Sequence, residues 1–124
     1  MSVIVVNKFC DSIQKIRLFD SRALILDMDL SVFTKYTFEV FEPGIKNPIL
    51  ELDSNNISAS AEFPGYPDNL INVKITMKDI ENMLPNPYTS DKVREFRLLG
   101  NDKDGMKILL KQDCFYVEDT MMGR

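Results

Sequence analysis

Apolar and polar residues alternate one by one along several segments of this 124-residue chain. The clearest segment places Ile71, Val73, Ile75 and Met77 between polar neighbours, and residues 36–40, 57–61 and 106–110 repeat the pattern. Because successive side chains of a strand point to opposite faces, this period of two predicts half-buried β-strands. The chain is therefore expected to fold as sheets with one solvent-facing side.

Other apolar segments supply further strands. Residues 49–52, 93–99 and 114–117 are rich in branched and aromatic residues, and residues 23–26 form a continuous run typical of a strand buried on both faces. Residues 3–6 are predicted as a strand or an extended arm, and residues 13–19 are ambiguous. Turn residues separate these segments, and Asp104-Gly105 between apolar runs indicates a hairpin.

One segment follows a helical period instead. Ile80, Met83 and Leu84 have the spacing of one helix face, and Pro85 then prevents continuation. We therefore predict an all-β fold, a single β-sandwich with one short helical turn around residues 78–84. Residues 23–120 form the sandwich domain, residues 1–22 are an N-terminal arm or its first strand(s), and residues 121–124 are a short tail.

The composition argues against several classes of function. The chain has no histidine, which removes the usual general base and the commonest metal ligand. Its net charge is −4, which does not suit a nucleic-acid binder. No apolar run approaches the roughly 18 residues of a membrane span, and Asn7 and Lys8 interrupt any signal-like start.

Cys10 and Cys114 are interpreted as reduced, partly buried thiols; a disulfide between them is the alternative.

Three acidic patterns are candidate sites of chemistry. Asp27 and Asp29 have strand spacing suited to a divalent cation, but they are better explained as a solvated turn. Residues 101–105 faintly resemble a calcium loop, but Gly100 and Lys111 occupy its first and last ligand positions. Glu39 and Glu51, on neighbouring strands, have the form of a glycosidase pair, but Glu39 lies at a polar, outward position and such enzymes usually need a larger cleft than a 124-residue sandwich offers. We predict no catalytic residue, metal, cofactor or small-molecule substrate.

Several stretches together resemble a known family. Residues 29–41, DLSVFTKYTFEVF, are followed by the strand at 71–77 and the turn at 79–84; then come FRLL at 96–99, KDG at 103–105 and LLKQDCFYV at 109–117. These are similar to the immunoglobulin-like β-sandwich of tailed-phage structural proteins, such as the N-terminal domain of the baseplate upper protein. The resemblance spans residues 24–120. Phe96 replaces a usual tyrosine, and Gln112 or Asp113 a usual glycine.

The resemblance implies a non-enzymatic structural or adaptor protein of the virion, made in the host cytoplasm and joined to other virion proteins in a symmetric assembly. It would be a tail, baseplate or neck component, or a capsid decoration or fibre anchor. The alternatives are a soluble inhibitor of a host protein and a carbohydrate-binding module that uses Phe63, Tyr66 and Tyr88. The predicted protein-interface residues are apolar and lie near the two ends: Val3, Ile4, Val5, Val6, Met121 and Met122.

Overall fold

A computed structural model describes residues 3–17, 32–61, 70–84 and 93–118. This part of the chain contains eight strands and one helix. In chain order they are β1 (Ile4–Asn7), β2 (Ser12–Arg17), β3 (Lys35–Phe41), β4 (Leu50–Leu52), β5 (Ile57–Ser60), β6 (Leu70–Ile75), α1 (Met77–Met83), β7 (Arg94–Asn101) and β8 (Lys107–Glu118).

The strands form two sheets. The larger has the order β1-β8-β7-β3-β4 and the smaller has the order β2-β6-β5. All pairings are antiparallel except that of β1 with β8, which is parallel and aligns Ile4 with Phe115. Consecutive strands β1 and β2 belong to different sheets, so the chain crosses between the layers through the turn after Asn7.

This strand order is that of an immunoglobulin-like sandwich. Strands β2, β6 and β5 correspond to one layer of that fold, and β8, β7 and β3 to the other. Strand β4 adds to the second layer, as in variable-type domains. The protein is therefore an all-β immunoglobulin-like sandwich with one short helix. The N-terminal segment supplies its first two strands, and so it is not a separate arm.

The period-two segments at 36–40 and 71–75 form strands with one buried face. On β6, Ile71, Val73 and Ile75 are completely buried while Lys74 is exposed. Met77 does not continue this strand, because Thr76 caps a helix: its hydroxyl accepts from the Asp79 amide, and the Asp79 carboxylate accepts from the Thr76 amide. The helix thus begins and ends one residue before the predicted turn at 78–84.

The centre of the core is a group of three phenylalanines. Phe38 stacks on Phe96 with ring centroids 5.5 Å apart and lies 6.1 Å from Phe115. All three side chains are completely buried. No disulfide joins the two layers in the described residues, and the buried apolar side chains of both sheets form one core between them.

The cysteines are free thiols, as predicted. Cys10 is exposed, however, and the expectation that both thiols are at least partly buried is wrong for it. The reason is its position in the tight turn between β1 and β2, where its backbone amide donates to the Asn7 carbonyl at 3.3 Å. Cys114 is half-buried on β8.

Residues 107–110 and 114–117 are parts of one twelve-residue strand, β8. The register shift between Leu98 and Leu99 leaves Leu110 as an extra residue on β8, and Leu110 packs against the core. Met106 and Ile108 are exposed, although their alternation suggested a buried face, because Met106 lies in the turn before β8 and Ile108 lies near the hairpin end of the strand. The strand predicted at 23–26, Asp27 and Asp29, the sugar-binding candidates Phe63, Tyr66 and Tyr88, and the tail at 121–124 lie outside the described residues.

Candidate functional site

Strand β1 lies at the edge of the larger sheet and contains three of the predicted interface residues of the N-terminus, Ile4, Val5 and Val6; Val3 directly precedes it. Their side chains divide into two groups. Ile4 and Val6 are 3% and 1% exposed and belong to the core, so they are unavailable to a partner in the folded protein. Val3 and Val5 are each 43% exposed on the outer face. The other predicted interface residues, Met121 and Met122, lie outside the described residues.

The backbone of β1 offers hydrogen-bonding groups on the side that pairs with no described strand. The Lys8 amide donates to the Glu118 carbonyl at 3.0 Å, and the β1–β8 register continues this alignment back to Ile4. In such a ladder, alternate residues direct their backbone amide and carbonyl groups toward the neighbouring strand. The backbone groups of Ile4 and Val6 therefore point toward β8, and those of Val5 point away from it. The Val5 carbonyl accepts one long bond of 3.4 Å from the Gln14 side chain.

Apolar side chains surround this edge. Val5 is aligned with Tyr116 of β8, which is 37% exposed. Val93 directly precedes Arg94, the partner of Phe115, so it lies next to Tyr116 and is 45% exposed. We refer to Val3, Val5, Val93 and Tyr116 as the β1 patch. Val93 and Tyr116 were missed from the sequence, although the alternation of Tyr116 with Phe115 and Val117 marks it as outward-facing.

The three other described sheet edges carry polar or charged side chains at exposed positions. Strand β2 has Lys15 and Arg17 at exposed positions, β4 is three residues long and exposes Glu51, and β5 carries serines on its outer side. Charged side chains and short strands discourage pairing with another chain. Residues 3–7 carry no charge. Strand β5 is also uncharged and as short as β1, but its outward side chains are serines. Among the four edges that the structure describes, β1 thus combines an uncharged strand with a large exposed apolar side chain, Val5.

Glu39 and Glu51 are direct partners in the β3–β4 pairing. Burial raises the pKa of Glu39, and so do a hydrogen bond with Glu51 and the charge of that side chain; Lys107 and Arg97 oppose the shift. Both residues occupy the outer face of the larger sheet, since Phe38, Val40, Leu50 and Leu52 beside them are buried. The two carboxyl groups therefore form a like-charged pair on an open sheet surface.

The loop at 101–105 is a hairpin turn, as predicted. The Asp102 carboxylate accepts from the Asp104 and Met106 amides at 2.9 and 3.0 Å, and Gly105 has a φ of +80°. This carboxylate is thus used by the turn itself. Within residues 3–17, 32–61, 70–84 and 93–118, no three His, Cys, Asp or Glu side chains cluster as metal ligands would. No helix in the described part is long and apolar enough to cross a membrane.

Comparisons with known proteins give one likeness. Neither a scan against protein-family models nor a search of curated proteins found a match. A search of solved structures found murine CRIg, with a TM-score of 0.38 and 11% identity, covering 96% of this chain and 92% of that one. A likeness of this size carries no argument by itself. The immunoglobulin-like assignment therefore depends on the strand order and pairing.

Proposed function

We propose that this protein is a non-enzymatic adaptor that binds other proteins through the free edge of β1 and the β1 patch. The observation that carries the proposal is an uncharged edge strand with an outward apolar side chain, Val5, directly preceded by the exposed Val3. An added strand gains backbone hydrogen bonds at such an edge and buries the neighbouring apolar surface. Tyr116 suits the centre of the contact, because tyrosine is enriched among the residues that dominate interface energies.

We further propose that the adaptor is a structural component of a tailed-phage particle, with other virion proteins as partners. The motifs in residues 29–41 and 109–117 support this placement, since they resemble those of phage structural sandwiches. Parts of these motifs lie in β3 and β8 of the larger sheet. The proposal assigns the protein to the tail, baseplate, neck or capsid surface, and assigns it no nucleic-acid, membrane or small-molecule ligand.

Quantitative mass spectrometry of purified particles tests the placement. The measurement is the copy number of this chain relative to the major capsid protein. Hundreds of copies would indicate a capsid decoration, whereas a few to some tens would indicate the neck, tail or baseplate. Absence from particles would overturn the virion proposal and favour an inhibitor of a host protein, which a pull-down yielding one host protein at defined stoichiometry would identify.

The role of the β1 edge is tested with Val5→Pro. Proline removes the outward amide and is tolerated on edge strands when that amide does not bond within the sheet. Val5→Ile is the matched control, because it keeps the amide, the β-branched shape and the apolar side chain. We expect the proline variant to fold but to be lost from particles, and the isoleucine variant to be incorporated normally. Equal incorporation of both would contradict binding through this edge.

A further inference from the structure

We propose that the outer face of the smaller sheet is a second protein-binding surface, and that its partner is an acidic segment of another protein. We refer to Ile13, Lys15, Arg17, Asn72 and Lys74, which project from this face on β2 and β6, as the basic face. The inference goes beyond the proposed function, which concerns the β1 edge. Because the basic face and the β1 patch lie on opposite outer surfaces of the sandwich, an adaptor can hold one partner on each.

Charge is divided unevenly between the two sheets. The strands of the smaller sheet contain Lys15, Arg17 and Lys74 but no Asp or Glu, and all three cations are exposed. Every acidic residue within a described strand belongs to the larger sheet. The chain as a whole has 19 acidic and 15 basic residues and a net charge of −4. The basic face therefore has the opposite sign to the protein that carries it.

Lys15 and Lys74 lie close together on this face. Lys15 is paired with Asn72 and Lys74 with Ile13, so the two lysines are diagonal neighbours at a separation of about 7–8 Å. Arg17 follows two residues along β2, about 7 Å from Lys15. Neither lysine forms an ion pair with a described residue. Charges within the roughly 8 Å Debye length of physiological salt repel one another, so an acidic ligand is attracted by these cations together.

A groove of about 280 Å³ lies beside Lys74 and is lined by Ile13, Asn72 and the mostly polar segment 54–58. Ile13 is 63% exposed and offers an apolar contact next to the cation. The groove is smaller than the roughly 300–1,000 Å³ of small-molecule sites, so it suits individual side chains of a bound polypeptide. The lining favours an acidic side chain against Lys74 and an apolar side chain against Ile13.

The spacing of the cations fits an extended peptide better than a nucleic acid. Side chains two residues apart on an extended chain project from one face about 6.6–7 Å apart, which is close to the separation of these cations. A protein that holds a phosphate backbone makes many such contacts, whereas this face has three cations. The net charge of −4 also repels a polyanion. An acidic peptide segment is therefore the occupant that the face favours.

An NMR titration tests the inference with a short peptide of alternating glutamate and threonine, which places its carboxylates two residues apart. Up to millimolar peptide is added to the isotope-labelled full chain. We expect the backbone amide resonances of residues 13–17, 58 and 72–74 to shift, and the binding to weaken in raised salt. A peptide of alternating glutamine and threonine is the control for the carboxylates, and it should not bind.

Two double variants test whether the lysines of the basic face are responsible. Lys15→Gln combined with Lys74→Gln should weaken peptide binding about fivefold or more, because two exposed charge pairs are lost. Lys35→Gln combined with Lys103→Gln is the matched control, since it removes the same charge from exposed lysines outside the smaller sheet. The control variant should bind the peptide as the native protein does. Equal weakening by the two variants, or no shift of the basic-face amides at millimolar peptide, would overturn the inference.

Two further results would also overturn it. One is equal binding of the glutamine peptide. The other is tighter binding of a single-stranded oligonucleotide at the same amides, which would assign the face to a nucleic acid.

Val5→Pro separates this inference from the proposed function. The proline variant should bind the glutamate peptide normally, because the β1 edge is not part of the basic face. If the peptide does not bind the native protein and Val5→Pro is still lost from particles, the basic face is wrong and the β1 proposal stands. If the peptide binds as expected and Val5→Pro is incorporated normally, the basic face is correct and the β1 proposal fails.

Discussion

Val5 and Tyr116 lie side by side across the parallel β1–β8 pairing, and both project from the outer face of the larger sheet. Their immediate neighbours Ile4 and Phe115 are also aligned, but these point into the core. One residue of offset therefore separates side chains that hold the sandwich together from side chains available to a partner. This relationship can be tested by substitution along β1.

Ile4→Ala should destabilise the fold much more than Val5→Ala. Ile4 is 3% exposed, and removing a buried isoleucine side chain costs about 2–5 kcal/mol. Val5 is 43% exposed, and a surface substitution of this kind changes stability by about 0.5 kcal/mol or less. Urea denaturation gives both values. Similar losses for the two variants would show that the strand is placed with the wrong face inward.

Phe38→Ala should be the most damaging single truncation in the core. Phe38 contacts the rings of both Phe96 and Phe115, and deleting a buried phenylalanine costs about 3–5 kcal/mol. Phe38→Leu retains much of the volume and should lose less, which keeps the test informative if the alanine variant does not fold. Thermal unfolding followed by near-ultraviolet circular dichroism measures both. A leucine variant that equals the alanine variant would contradict the ring-packing account.

Glu42→Gln should lower the free energy of unfolding, whereas Glu95→Gln should leave it nearly unchanged. Glu42 accepts from Arg94 at 3.3 Å, and the Arg94 side chain is completely buried. Removing the carboxylate charge leaves a buried cation with less compensation, at a cost of about 1–3 kcal/mol.

The matched pair, Arg97 with Glu95 at 3.4 Å, has both side chains more than 40% exposed. Its loss should cost at most about 1 kcal/mol. Chemical denaturation in low and high salt separates the two pairs, because screening weakens the exposed one and leaves the buried one almost unchanged. Equal costs would mean that burial of Arg94 has no energetic consequence.

Glu51→Gln should stabilise the protein at neutral pH. The folded-state pKa of Glu39 is raised, so the folded protein binds its proton more readily than the unfolded chain. The corresponding stability is present at low pH and is lost as pH rises through the folded-state pKa. Removing the opposed charge should therefore contribute about 0.2–1 kcal/mol at pH 7.

At a pH below the raised folded-state pKa of Glu39, that carboxyl group is neutral, so the repulsion is absent and the variant should match the native protein. Urea denaturation at the two pH values is the measurement. An equal gain in the free energy of unfolding at both pH values would refute like-charge repulsion as its source. Glu81→Gln, on the exposed side of α1, is the control for a simple change of net charge.

Local chemistry made much of the architecture predictable. Strands such as β6 follow from alternation alone, because a sheet with one wet face needs a period of two. The hairpin at Asp104-Gly105 follows from the backbone freedom of glycine. The helix followed from the spacing of Ile80 and Met83, which are buried, although its start at Met77 depends on the Thr76 cap.

The candidate interface was only half predictable. Residues 3–6 are all apolar, so no alternation marks a buried face, and the sequence by itself determined only that this segment is extended and hydrophobic. Pairing with β8, which is the last described strand of the chain, decided that Ile4 and Val6 are core while Val3 and Val5 are surface. The same pairing brought Tyr116 beside Val5. The orientation of an edge strand is set by the register of a partner distant in sequence, and such a contact exists only once the two sheets have packed.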